Sequence, residues 1–97
     1  MQPSLCRRLA FSAIIDPVVP RFYFHLRDDL DASDKSGEEL PDLAAARACA
    51  EKMARFEVAE AAMRDGRIVL SHHIDVADET GAVLFTVHFG DAVRIVP

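Results

Sequence analysis

Ninety-seven residues, 51% apolar and 28% charged, supply hydrophobic material for one small core and not for two. The net charge of −5, with no basic cluster larger than Arg7-Arg8, argues against a nucleic-acid partner, whose backbone demands a basic face. No apolar run approaches the ~20 residues of a membrane span, so the chain is read as cytoplasmic, with no membrane partner.

Residues 1–19 stand apart. Their charge balance differs from the rest, their periodicity is weak, and they end close to the breaker-rich DPVVP at residues 16–20. CRRLAFSAII has the charge pair and short apolar stretch of a signal peptide, but Asp16 and Pro17 interrupt it early and no clear cleavage site follows. The segment is expected to be a leader, poorly ordered or docked, with Val18 or Val19 as an alternative start. Residues 20–97 are expected to form a single small domain. Cys6 and Cys49 have neither metal-ligand spacing nor the pattern of a disulfide framework, and are read as reduced thiols.

Period-2 alternation and aromatic content make residues 21–27, RFYFHLR, a strand. The polar, acidic stretch RDDLDASDKSGEEL reads as a solvated loop. Its carboxylates suggest Ca²⁺, but the glycine and terminal glutamate of a calcium-binding loop are not in register. Pro41 suits the first helical position, and from there to Asp65 the chain is rich in Ala, Glu, Met and Arg, with Gly66 as a stop. Ser36-x-x-Glu39 matches a capping box, yet a helix starting there would carry Pro41 inside it. Leu43, Ala46, Ala50, Met53, Ala54, Val58 and Ala61 fall on one side of this helix. A second apolar stripe of Ala45, Cys49, Phe56, Ala59 and Met63 lies nearly opposite and offers a second contact, with the leader or another subunit.

Residues 68–77 and 82–89 are strands joined by DETG. A three-residue loop with Gly81 left-handed would set their apolar alternations on opposite faces, so a two- or four-residue loop or a bulge is expected, because burial fixes register. AVRIV at the end is a candidate fourth strand. The fold class expected is α+β: a two-layer sandwich with a three- to four-stranded, mainly antiparallel sheet, order β-α-β-β along the chain, and one long helix on one face. The most apolar strand, 82–89, is expected at the centre.

PRFYFHLRD, GEELPDLAAARACA, DETG and the terminal FGDAVRI together resemble a family of short proteobacterial proteins, common in rhizobia and their relatives, known as a domain of unknown function. The resemblance covers roughly residues 20–97, and ELPDLAAAR is its most specific part. Members begin just before the Pro-Arg pair. It implies domain boundaries and no activity, substrate or cofactor.

If the apolar residues of the strands pack on the helix, parity assigns the opposite face. Tyr23, His25 and Arg27 lie there from the first strand, His73 and Asp75 from the second, Thr86 and His88 from the third. Cross-strand neighbours stand ~5 Å apart, so His25, His73 and His88, with Asp75 supporting them, are candidates for a small ligand or Zn²⁺. A solvated sheet face is the plainer reading, since no H-x-H or H-E-x-x-H spacing accompanies them. Adjacent His72 is expected to point to the core side or the strand end. No nucleophile elbow, phosphate loop or activated cysteine suggests an enzyme. The expected function is therefore a non-enzymatic protein-interaction or oligomerising module, a homodimer or a binder of another protein. It would use the open face, with Tyr23 and Arg27, or the Phe56/Met63 stripe. A His-based metal or ligand binder and an antitoxin-like regulatory partner are the alternatives.

Overall fold

The computed structural model describes residues 20–97. The expectations about the leader lie outside those residues, as does Cys6. In chain order the elements are β1 (Arg21–Arg27), β2 (Glu38–Glu39), α1 (Leu43–Asp65), β3 (His73–Ala77), β4 (Val83–His88) and a short α2 (Phe89–Ala92). The strands form an open sheet in the order β2-β1-β3-β4, with every neighbouring pair antiparallel. The fold is α+β, one long helix on one face of the sheet.

Capping sets the bounds of α1. The Asp42 carboxylate accepts a hydrogen bond from the Ala45 N–H at 2.8 Å, filling one of the donors that a helix start leaves open. Pro41 therefore precedes the cap instead of opening the helix as expected. At the other end Gly66, at φ +70°, donates its N–H to the Ala62 carbonyl at 3.0 Å.

Ala46, Ala50 and Ala54 are fully buried, and Met53 and Val58 nearly so. Small side chains four residues apart let the helix lie close over Phe22, Phe24, Ile74, Val76 and Val87. Cys49, assigned by spacing to the outer stripe, is also fully buried and is not a free thiol, against the expectation of a reduced one. Leu43, assigned to the core face, is exposed. A 23-residue helix is ~34 Å long and overhangs strands of five to seven residues, and its C-terminal end from Ala59 on is largely exposed.

Two expectations about the sheet are corrected. Residues 92–96 form no strand; the fourth strand is Glu38–Glu39, paired to Arg21 and Phe22. And β4 is at the edge, with β3 beside β1. Apolar content pointed to residues 82–89 as the centre, but β3 is the better buried strand, with Ile74, Val76 and Ala77 almost wholly enclosed. Its one charged residue, Asp75, is tolerated inside the sheet because both neighbouring strands offer it donors.

The hairpin resolves the conflict between turn chemistry and alternation. Asp78 accepts from the Gly81 N–H and donates its own N–H to the Ala82 carbonyl, both at 3.0 Å, with Gly81 at φ +91°. Val76 pairs with Phe85 but Ala77 pairs with Val83, so Leu84 is an extra residue in β4. That bulge restores the apolar residues of both strands to one face.

Candidate functional site

Register places the expected polar set in rows across the open face. Arg27 stands opposite His73, and His73 opposite His88; His25 stands opposite Asp75, and Asp75 opposite Thr86. Tyr23 is paired with Ala77 at the far end. Asp75 is the hub. Its Oδ1 accepts from the Thr86 hydroxyl at 2.7 Å and lies 3.6 Å from His73 Nε2, while Oδ2 faces Arg27 Nε at 3.4 Å. The His73 and His88 rings have centroids 5.2 Å apart, with planes inclined at 48°. On its outer side His88 Nδ1 is 3.8 Å from Asp91.

His25 does not join them. Its Nδ1 accepts the Asp34 N–H at 3.0 Å, which leaves the ring proton on Nε2 and commits that lone pair to the backbone. Among the described residues no group of three or more His, Cys, Asp and Glu side chains is arranged to hold a metal ion. His72, half-buried just before β3, meets Phe89 edge-to-face at 5.9 Å and comes within 3.5 Å of Asp29. That is a packing role, at the strand end where parity put it.

The acidic stretch after β1 is only partly the solvated loop it was expected to be. Asp34 is buried, and its Oδ2 accepts the Phe24 N–H at 3.2 Å while Oδ1 accepts the Ser36 and Gly37 N–H groups, each at 3.1 Å. Leu26 and Ala32 exchange two backbone bonds of 2.8 Å, and Leu40 donates to the Pro20 carbonyl. The loop thus serves as a substitute strand that closes the outer edge of β1. The signal was in the sequence: Asp-x-Ser-Gly is a run whose aspartate bonds the backbone two and three residues on.

The other edge differs. Val83 is 54% exposed and Leu84 41%, and among the described residues the outer side of β4 has no backbone partner. β4 reads VLFTVH, with neither the lysine nor the proline that commonly blunts an edge strand. On its core face Phe85 is capped by the Arg47 guanidinium, 4.4 Å above the ring.

The Phe56/Met63 stripe survives in part. Phe56, Ala59, Glu60, Met63 and Arg64 line a shallow groove of about 480 Å³ on the outer side of α1, and Met63 is 89% exposed. No helix among the described residues is long and apolar enough to cross a membrane.

A family model described as "Domain of unknown function (DUF6894)" matches residues 21–90, from the first residue of β1 into α2. The chain belongs to this family. The matched span holds the whole sheet, α1 and the open-face cluster. No curated protein and no solved structure matches the chain.

Proposed function

We propose that this member of the family is a non-enzymatic protein-interaction module, acting in the cytoplasm, that docks its partner along the free edge of β4. The observation that carries the reading is the contrast between the two edges of one sheet. The β1 edge is closed by Asp34, Ala32 and β2, while β4 leaves apolar residues and backbone groups open. An added strand would gain affinity from main-chain hydrogen bonds and specificity from the side chains beside it. His73, His88 and Asp75 lie on the open face next to that edge and would select among partners by hydrogen bonding and charge. A metal reading has less support, because it needs His25 beside His73 and His88, and His25 is engaged by Asp34.

A photo-cross-linking residue at position 84, compared with one at position 39 on the closed edge, tests this in cells. Position 84 is expected to give protein adducts and position 39 none. Absence of adducts at 84 would rule out the docking edge.

A further inference from the structure

We infer that the strand occupying this edge is β4 of a second copy of the chain, paired antiparallel about a two-fold axis through Thr86. The inference rests on the interaction reading above and names its partner. Backbone direction comes first. Phe89 donates its N–H inward to the His72 carbonyl at 2.8 Å. Because inward and outward groups alternate along an antiparallel strand, Val87 and Phe85 also face β3, and His88 and Thr86 present their N–H and C=O groups outward.

A two-fold at Thr86 uses those groups and respects the faces. Thr86 then meets its own copy and Phe85 meets Val87, and the bulge at Leu84 marks the end of regular pairing on each side. Opposed residues in an antiparallel pair share a face, so Phe85 and Val87 stay on the helix side and Thr86 and His88 on the open side. Thr–Thr and aromatic–β-branched pairs are both favoured across strands. Read backwards, the strand complements itself.

Charge selects the same partner. β1 carries Arg21 and Arg27, β2 is Glu38 and Glu39, and β3 carries Asp75, whereas β4 has no Asp, Glu, Lys or Arg. Two copies of a chain with net charge −5 repel one another at long range. The side chains of β4 itself bring no like carboxylates or cations together, while the Arg47 guanidinium lies over each Phe85 ring on the helix side. An isologous contact of this kind closes on itself and forms a dimer, not a fibre. A single strand pair falls below the ~1,200 Å² of stable complexes, so the dimer is expected to grow with concentration and dissociate on dilution.

Sedimentation velocity on the full chain over a concentration series is the test. The wild type should shift from monomer to dimer. Leu84→Lys, at an exposed site, should weaken dimerisation by roughly tenfold or more with an unchanged circular dichroism spectrum. Thr86→Cys should oxidise to a covalent dimer above the wild-type background, and Glu39→Cys should not. A monomer at every concentration, or a dimer that Leu84→Lys leaves intact, overturns the inference. If the adduct at position 84 has the mass of a different protein, self-pairing fails while the interaction module stands. A cross-link from 84 to residues 1–19 of the same chain removes both.

Discussion

A Cβ placed on Gly37 would stand 2.8 Å from Arg21 Cγ and 2.9 Å from both the Phe22 carbonyl oxygen and Tyr23 Cε2, and the residue sits at φ +72°. Gly66 has nearly the same φ, +70°, with open space around it. The pair separates two causes of strain. Gly66→Ala should cost about 1 kcal/mol, from the left-handed backbone alone. Gly37→Ala should cost clearly more, roughly 2–4 kcal/mol, because the loop must also move away from β1. Urea denaturation of the two variants checks the order; equal costs would mean that the close approach at Gly37 relaxes freely. Asp78 gives a pH effect at the same scale. The Thr80 hydroxyl, which donates to its carboxylate at 2.6 Å, holds its pKa below the ordinary value, and the Thr80, Ala82 and Gly81 N–H groups act in the same direction. A lowered folded pKa means that the turn gains stability above the unfolded-state value of ~3.9 and loses it as pH falls through the lower folded value. The carboxyl carbon of Asp78, followed by NMR, should titrate below free aspartate, and Thr80→Ala should move the midpoint upward. A midpoint at or above the free value would contradict the turn geometry.

At the scale of the element, α1 depends on its first turn more than its composition suggests. Leu43 there is exposed while Ala46 is buried, so packing holds one side of the turn and the Asp42 cap holds its open N–H end. Asp42→Ala should cost about 1 kcal/mol, and amide exchange should accelerate at Ala45 ahead of the rest of the helix. Uniform exchange along α1 would show that the cap is not what holds that end. Both bounds of this helix were nearly legible in residues, since Pro41-Asp42 and Gly66 are punctuation that acts locally. The acidic loop was not. Six carboxylates in a short run look solvated by composition, yet Glu38 in β2 and Asp34 in the loop are both buried, and it is Asp34 that folds the loop inward. What turns it is three N–H groups, one of them on β1, ten residues away in sequence. Periodicity says nothing about a long-range bond of that kind.

For the whole molecule, the sequence by itself determined the fold class, because alternation in β1, β3 and β4 and the Ala-rich run between them are local patterns with one compatible layer arrangement. It also determined which side chains share the open face, since parity is fixed once the apolar residues are buried, and the His73–His88 pairing follows from that parity with the right loop. Strand order was decided only in three dimensions. Hydrophobicity ranked 82–89 as the central strand, but position in a sheet depends on whether each strand's backbone and charges can be satisfied from both sides. Asp75 finds Thr86 and Arg27 on either flank, which secures β3 between its neighbours and leaves the more apolar β4 outside. His25 illustrates the same limit: parity put it with the other histidines, and a backbone N–H from the folded loop took its nitrogen instead. The candidate interface exists for this reason. Patterning specified an apolar strand, and tertiary hydrogen bonding decided that its edge would face outward.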